Sequence, residues 1–268
     1  MPPISGVIIT RNEAANIART IRSLAPADEI VVVDSGSNDE TRQIAESLGA
    51  RVISHPWEGF AGQKNFAASQ ARHDWILSLD GDEEFNAEAQ AAILKWKASE
   101  PSCHGYRFAR RARYLGRWIR HSGWYPDYKV RLYHRAQGRW KGDFVHESVE
   151  VKGKVGALGG EILHFTCDSI EDHRQRIEFY TGLAADEMLK RGASPGLIRR
   201  HGAPSWAFFR SYFLRLGFLD GVPGLWIARM ASLYVERKYR KWENLAKAGP
   251  DAAPCQDPRG RVRHRRDG

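Results

Sequence analysis

Short apolar segments alternate with helix-like segments through the first hundred residues, and this order constrains the fold more than any other feature. The apolar segments, each typical of a buried strand, cover residues 7–9, 30–33, 52–53 and 75–79. Helical spacing follows at 14–24 and 63–70, and Ser37 with Glu40 forms a capping-box pattern that opens a further helix ended by Gly49. The alternation predicts an α/β fold with a mostly parallel sheet covered by helices on both faces.

The pattern changes beyond Pro101. Shorter strand-like pieces lie among basic and aromatic segments, at residues 106–108, 130–133 and 162–165. Helical periodicity returns from Ser169 onward, and the final stretch of the chain is rich in Pro, Gly and Arg. We therefore expect an α/β domain over residues 1–165, a helical extension over 166–248 and a disordered basic tail over 249–268.

Composition limits the compartment and the kind of fold. The chain has 268 residues, of which 42% are hydrophobic, which is enough for one large core with an appendage. Its start lacks the basic and apolar regions of an export signal. The three cysteines are odd in number and show no paired spacing, which argues against a disulfide framework and a zinc cluster. We expect a cytoplasmic protein.

Charge is distributed unevenly along the chain. Residues 1–100 hold nine Lys or Arg against fifteen Asp or Glu, whereas residues 101–268 hold 32 against 17. The basic part would suit nucleic acid, an anionic membrane surface or a phosphorylated acceptor, and charge alone does not rank them. No zinc-finger, RNP-like or helix-turn-helix motif is present, so a nucleic-acid partner is not expected.

The strongest local motif is an apolar strand that runs directly into carboxylates, at residues 77–84. Asp80 and Asp82 flank Gly81 at the carboxyl end of this strand, where ligands bind in open α/β sheets. Carboxylates on such a turn suit a hard divalent ion, Mg²⁺ or Mn²⁺, that also binds phosphate oxygens. An ordinary acidic loop turn is the simpler interpretation, and the position after a strand favours the metal.

Two further strand ends carry polar residues toward the same edge. Thr10, Asn12 and Glu13 follow the first strand, and Asp34 follows the second. These side chains could hydrogen-bond a base and a ribose, with Asp34 accepting from the imino N–H of uracil. Helix capping is the alternative role for these positions.

The three motifs together resemble a known family. ITRNE at 9–13, VVDSGSNDET at 32–41 and LSLDGDE at 77–83 are similar to family 2 glycosyltransferases of the GT-A fold, and among these to bacterial lipopolysaccharide core glucosyltransferases. Residues 217–221 also resemble that subgroup. The resemblance implies metal-dependent transfer of a sugar, glucose as the expected one, from a UDP-linked donor. The implied acceptor is the lipopolysaccharide inner core or a related glycolipid, with inversion at the anomeric carbon, at the inner face of the inner membrane.

The resemblance also implies roles for single residues. Asp80 would contact the ribose and Asp82 the metal, while Asp34 lies at the uracil and Thr10 and Glu13 line the nucleoside. Lys64 resembles a family position close to the donor. A solvated lysine at a helix start is the alternative for Lys64.

Sugar transfer needs a carboxylate that accepts the proton of the acceptor hydroxyl. The candidates are Asp127, Asp143 and Glu147. Glu147 is preferred because residues 145–147 resemble the place where the family's acceptor-side acid falls. A structural salt bridge is the alternative role for Glu147.

Three other residues could serve the donor side. The neutral imidazole of His164 could complete a metal shell, although a hydrogen-bonded core histidine is the commoner role. Arg131 and Lys129 could pair with phosphate, in the arginine case through two hydrogen bonds. Solvation at a strand edge is the alternative for both.

Aromatic and basic residues alternate through residues 204–242. No run reaches the roughly 20 apolar residues that a membrane-spanning helix needs. The pattern predicts an amphipathic stretch that lies in the interface of an anionic membrane, as a peripheral contact. The alternative is an ordinary packed helical pair with solvated Lys and Arg.

Other function classes fit less well. A sugar-nucleotide pyrophosphorylase should carry a glycine-rich, arginine-bearing loop after the first strand, and a dinucleotide-dependent oxidoreductase should carry G-x-G-x-x-G there. The chain has neither at residues 10–13. A non-enzymatic adaptor that binds membrane or nucleic acid would explain the basic part but would leave the acidic motif without a role.

Overall fold

The computed structural model describes residues 1–142, 147–167, 169–193 and 195–248. It divides into two compact units. The first consists of residues 1–112 and 126–166, and the second consists of residues 113–125 together with the chain from Cys167 onward. The division near Cys167 lies close to the limit expected at 165, whereas no sequence signal indicated that 113–125 joins the second unit. The expected tail, 249–268, and Asp143 lie outside the described residues.

The half of the main sheet that carries the three motifs is parallel. Its order is β3-β2-β1-β4, with β1 spanning Ile4–Thr10, β2 Glu29–Asp34, β3 Arg51–Ser54 and β4 Trp75–Asp80. The register pairs Thr10 with Asp34 and Ile9 with Asp80. The polar ends of three strands therefore lie level with one another at one edge of the sheet.

The same sheet continues with antiparallel pairings beyond β4. The order goes on as β8-β6-β11-β5, with β5 spanning Glu83–Phe85, β6 Gly105–Tyr114, β8 Asp127–His134 and β11 Val155–Cys167. A short strand β7, Arg117–Trp118, pairs with the end of β6, and a separate ribbon consists of β9, Gly138–Lys141, and β10, Ser148–Val151. The predicted α/β class is confirmed.

Helices cover both faces of the sheet in the first unit. They are α1 Ile17–Ser23, α2 Thr41–Ser47, α3 Phe60–Ser69 and α4 Ala87–Lys97. Alternate residues of β1 enter two different cores, because Ile8 packs with α1 and α4 residues while Val7 and Ile9 pack with α3 residues. Both faces of β1 are covered, and all seven of its residues are buried.

The predicted capping box at Ser37 is wrong. Helix α2 begins at Thr41 after Glu40, which makes no side-chain capping bond. The hydroxyl of Ser37 instead donates to the carboxylate of Asp34. Ser37 therefore lies in the loop before the helix, where its hydrogen bond to Asp34 holds it.

The described part of the second unit is mostly helical. Helix α5, Ile170–Lys190, begins where Ser169 accepts a hydrogen bond from the Asp172 N–H. Helix α6, Leu197–Phe209, runs into a π-helical turn at Arg210–Leu214, and a 3₁₀ turn at Gly217–Asp220 precedes helix α7, Val222–Ala248. Helix α7 packs against α5 and α6. None of the described helices is long and apolar enough to span a bilayer.

Candidate active site

A buried ion cluster of Lys64, Asp80, Glu83 and Arg131 lies at the end of β4. Helix α3 supplies Lys64, whose side chain is only 1% exposed, and its Nζ lies 2.8 Å from Asp80 Oδ1. Arg131 on β8 donates through Nη2 to Asp80 Oδ2 at 3.1 Å. Two cations therefore hold the first carboxylate of the acidic motif.

Glu83 is the innermost member of the buried ion cluster. It is fully buried, and Arg131, 2% exposed, donates to its Oε1 and Oε2 at 2.7 and 2.6 Å. The backbone N–H of Asp80 donates to Glu83 Oε2 at 3.2 Å. Burial alone would lower the pKa of Arg131, but Glu83 and Asp80 raise it above its ordinary value. Arg131 is thus committed to carboxylates, and a contact of Arg131 with phosphate stays a prediction.

The carboxylate of Asp80 is ionised strongly in this setting. Burial alone would raise its pKa, but the charges of Lys64 and Arg131 outweigh that effect and hold the pKa well below its ordinary value. Asp80 is still 23% exposed at its side chain. It can therefore accept hydrogen bonds from a bound hydroxyl without first losing a proton.

Arg110 links the buried ion cluster to Asp127. Its Nη1 lies 3.1 Å from Glu83 Oε1, and its Nη2 donates to Asp127 Oδ2 at 2.6 Å. Lys129 lies 3.2 Å from the other oxygen of Asp127. Burial raises the pKa of Asp127, but Arg110 and Lys129 outweigh it and lower the pKa, which makes Asp127 a weak proton acceptor.

Glu147 lies beside the same lysine that holds Asp80. Its Oε1 is 3.6 Å from Lys64 Nζ, and its side chain is 22% exposed. The ammonium also lies 4.3 Å from the ring centre of Trp140 on β9. Lys64 therefore stands between the acidic motif and the preferred base candidate, which is not the position of a solvated lysine.

The turn after Asp80 requires glycine because Thr10 is so close. A Cβ placed on Gly81 would lie 2.9 Å from Thr10 Oγ1 and 3.1 Å from Glu13 Cγ. The Thr10 hydroxyl is buried and has no hydrogen-bond partner in the described part of the chain. Thr10 and Glu13 thus lie against the acidic motif, and their contact with a nucleoside stays a prediction.

Antiparallel pairing brings His164 to Asp82. The register of β11 on β5 sets His164 opposite Glu83, so its imidazole reaches the preceding residue. His164 Nε2 lies 3.4 Å from Asp82 Oδ2, and the two side chains are 18% and 21% exposed. The carboxylate of Asp82 and the imidazole of His164 therefore lie side by side and partly exposed at the edge of the acidic motif.

Two of the predicted donor-binding residues are engaged in their own loops. Asp34 is fully buried, and its oxygens accept hydrogen bonds from the N–H groups of Gly36 and Ser37. Asn12 has a φ of 55°, in the left-handed region that asparagine tolerates, and accepts from the Asn38 N–H at 2.8 Å. Contacts of Asp34 and Asn12 with a nucleoside stay predictions, and in this conformation both residues fix the loops around the site.

Comparison with known proteins identifies the family. The model of glycosyl transferase family 2 matches residues 5–149, which include the three motifs, the buried ion cluster and Glu147. The chain belongs to glycosyl transferase family 2. This membership, with the α/β sheet, confirms the family and the GT-A type of fold predicted from the motifs.

Named relatives agree with the family assignment. An uncharacterized glycosyltransferase of Rickettsia bellii (strain RML369-C) is 36% identical over 82% of this family 2 chain and 79% of its own. The lipopolysaccharide core biosynthesis glycosyltransferase LpsC of Rhizobium meliloti (strain 1021) is 31% identical over 87% of this chain and 88% of its own. The protein is therefore a glycosyltransferase.

A solved structure shows a partial likeness. Glucosyl-3-phosphoglycerate synthase from Mycobacterium tuberculosis, in complex with Mn²⁺, UDP and glucosyl-3-phosphoglycerate, is 25% identical. The match covers 43% of this family 2 chain and 45% of the synthase, with a TM-score of 0.34.

Sequence reasoning missed three residues of this glycosyltransferase site. Glu83 is a member of the buried ion cluster, and Arg110 and Trp140 contact it, but the sequence assigns none of the three a role. Glu83 belongs to the acidic motif, and its place two residues before a buried Phe85 is the signal that would have found it. Arg110 is one of four arginines on β6 and Trp140 lies on the short strand β9, and no sequence signal distinguishes either as a site residue.

Proposed function

We propose that this glycosyltransferase moves a sugar, glucose as the expected one, from UDP to the lipopolysaccharide inner core or a related glycolipid, with inversion. The observation that carries the proposal is the buried ion cluster at the strand ends, with Asp82 and His164 beside it. Ligands of open α/β sheets bind at this edge. The relative LpsC, named for lipopolysaccharide core biosynthesis, supports the acceptor class.

Asp82 and His164 fit a divalent ion that is shared with the donor. Within the described ranges, no group of three or more His, Cys, Asp or Glu side chains could hold a metal ion unaided. Mg²⁺ and Mn²⁺ sites in phosphate chemistry need only one or two protein ligands, because phosphate oxygens and waters supply the rest. When bound, the ion would neutralise negative charge that develops on the leaving diphosphate.

Separate residues then serve separate steps of an in-line displacement at the anomeric carbon. The acceptor oxygen forms a bond to the anomeric carbon while the bond from that carbon to the diphosphate oxygen breaks, and UDP leaves with the electron pair. The hydroxyl proton passes to the carboxylate of Glu147. Asp80 is fixed by Lys64 and Arg131, so that it holds the ribose without moving during the reaction.

We further propose that the enzyme acts in the cytoplasm, peripherally on the inner face of the inner membrane. A glycolipid acceptor lies in a membrane, and the residues from 101 onward carry an excess of positive charge. Such a field attracts anionic headgroups. Nucleic acid is not part of this proposal.

Nucleotide binding gives the first test. UDP at about 100 times its dissociation constant should stabilise the protein by about 2.7 kcal/mol when Mn²⁺ is present. GDP, CMP and ADP should stabilise it less in the same thermal-shift screen. Slow, metal-dependent release of UDP from UDP-glucose should accompany the binding. No stabilisation and no hydrolysis with any donor would support a basic adaptor. Formation of UTP and glucose 1-phosphate from UDP-glucose and pyrophosphate would support a pyrophosphorylase.

Asp82 gives the test of the metal. Asp82→Asn should weaken Mn²⁺-dependent UDP binding by about tenfold or more, because losing even an outer partner of a metal ligand costs 10 to 100-fold. Calorimetric titration of UDP with Mn²⁺ and with EDTA measures this difference. Asp74→Asn is the matched control, because Asp74 is an exposed carboxylate paired with Arg135 away from the motif. Equal UDP affinity of Asp82→Asn and the parent with Mn²⁺ would remove Asp82 from the site.

A further inference from the structure

A run of exposed apolar side chains follows helix α6 in the second unit. The apolar patch, as we name it, comprises residues whose exposed fraction is between 44% and 68%, namely Trp206, Phe209, Phe213, Leu214, Leu216, Phe218, Leu219 and Val222. Outside residues 206–222, large hydrophobic side chains that are this exposed occur singly along the described chain. Exposed apolar groups this concentrated mark an interaction surface.

Ring contacts show that the aromatic members of the apolar patch are contiguous. Trp206 stacks on Phe209 with ring centres 5.9 Å apart, and Phe209 lies 5.2 Å from Phe213. Tyr212 contacts Phe213 at 5.1 Å and Phe218 at 6.3 Å. The rings therefore form one connected series across the π-helical turn and the 3₁₀ turn.

Exposed arginines accompany the apolar patch. Arg210 and Arg215 lie within it and are exposed. Arg117 is also exposed, and its guanidinium donates to the Leu219 carbonyl at 3.3 Å. Arg120 is exposed as well, and its backbone N–H donates to Asp220. Four cations thus border the apolar side chains.

No exposed carboxylate lies within residues 204–222. Asp220 is the one acid of this segment, and it is 2% exposed. Its oxygens accept from the backbone N–H groups of Arg120 and His121, and one lies 3.1 Å from the His121 ring nitrogen. The segment therefore presents apolar and positive groups and no exposed negative group.

Helix α7 differs from this segment. Ile227, Met230 and Tyr239 are buried, and Arg237 and Lys241 lie 3.0 and 2.8 Å from Glu178 of α5. For these residues the structure agrees with the packed helical pair that was the alternative to membrane contact. The exposed large apolar side chains of residues 204–242 all belong to the apolar patch at its beginning.

We propose that the apolar patch inserts into the headgroup and upper acyl region of an anionic lipid bilayer, with the four arginines on lipid phosphates. This inference rests on the proposed function, and it specifies the surface by which an enzyme that modifies a glycolipid docks on the bilayer. Aromatic and leucine side chains beside cations are the composition of interfacial anchors. The arginines make this anchor selective for anionic membranes, because each positive side chain near the surface adds attraction to negatively charged headgroups.

Other occupants of the apolar patch fit less well. A second copy packed on the same face would oppose four guanidiniums with four others and supply no exposed carboxylate from residues 204–222. The chain's own end, residues 249–268, contains five arginines and no aromatic, leucine or isoleucine side chain. Neither matches a surface that is apolar and positive at once.

Sedimentation with vesicles of phosphatidylethanolamine and phosphatidylglycerol tests the proposal. Leu214→Ser with Leu219→Ser should lower the partition coefficient by more than about tenfold at both low and high salt, because apolar insertion is not screened. Arg120→Gln with Arg210→Gln should lower it by roughly 30-fold at low salt and less at high salt. Leu94→Ser is the matched control, since Leu94 is 54% exposed on α4, and it should partition as the parent does.

Three outcomes would overturn the inference: a parent protein that does not sediment with these vesicles, an equal loss in the Leu94 variant, or a parent dimer that the double leucine variant dissociates.

Hydrolysis of UDP-glucose in solution, measured on the same preparations, separates this failure from that of the proposed function. Hydrolysis without vesicle binding would reject only the docking surface. Vesicle binding without hydrolysis would reject only the transferase proposal. Retained hydrolysis in each variant shows that it is folded.

Discussion

Replacing Glu147 by glutamine is expected to lower the rate of sugar transfer by about 10² to 10⁴-fold, the usual contribution of a general base. Glutamine keeps the size and much of the hydrogen bonding but cannot accept the acceptor proton. The affinity for UDP-glucose should hardly change, because the donor-side contacts belong to other residues. Steady-state transfer and calorimetric donor binding measure the two quantities separately.

Asp127 supplies the control for this prediction. Its carboxylate is held by Arg110 and Lys129, and its lowered pKa makes it a poor base. Asp127→Asn should therefore retain far more transfer than Glu147→Gln. Asp143→Asn belongs in the same series because Asp143 was a candidate. Parental transfer by Glu147→Gln together with a dead aspartate variant would assign the base to that aspartate.

Replacing Glu83 by glutamine is expected to destabilise the protein by about 3 to 5 kcal/mol, because it removes one partner of a buried ion pair. Arg131 would keep Asp80 as its partner, and Arg110 would keep Asp127, but both guanidiniums would face a neutral amide. For a domain of this size the loss corresponds to a fall of roughly 6 to 20 °C in the thermal midpoint. Thermal unfolding followed by circular dichroism measures it.

Glu150 offers a matched surface pair for the Glu83 experiment. It lies 2.5 Å from Lys141, and both side chains are about 60% exposed. Glu150→Gln should change the midpoint by no more than about 2 °C. Glu83→Asp, which keeps the charge, should fall between Glu83→Gln and the parent. A Glu83→Gln protein as stable as the Glu150→Gln protein would show that the buried pair does not support the fold.

The parallel half of the fold could be predicted because its signals are local. Strands β1, β2 and β4 each contain an apolar run, at residues 7–9, 30–33 and 75–77, and they end at Thr10, Asp34 and Asp80. Parallel strands place such ends at one edge, so the order of the motifs already brought them together. The family followed from the same three motifs and is confirmed.

The contacts that build the site could not be predicted because they depend on long-range register. His164 reaches Asp82 only because β11 pairs antiparallel with a three-residue strand, which is too short to show a periodicity. Arg131 was expected near phosphate, but it pairs with the buried carboxylate of Glu83. A sequence shows the charge of a side chain and does not show which partner of opposite charge the fold will bury beside it.

The helical part shows the same limit. One alternation of aromatic and basic residues runs from 204 to 242, yet its beginning is exposed and its end is packed against α5. Sequence periodicity shows which face of a helix is apolar, but it does not show whether another helix packs against that face. That distinction required the positions of α5 and α7.

One lysine joins the two halves of the proposed mechanism, since the Lys64 ammonium lies between Asp80, the proposed ribose ligand, and Glu147, the proposed base. Substitutions at those two carboxylates share a partner, so their energetic effects will not add as those of separate sites do. A change of Lys64 itself will therefore alter donor and acceptor recognition together, whereas a change confined to Glu147 leaves the contact between Lys64 and Asp80 in place. Selection that acts on this lysine, in the laboratory or in nature, must then change the two specificities together.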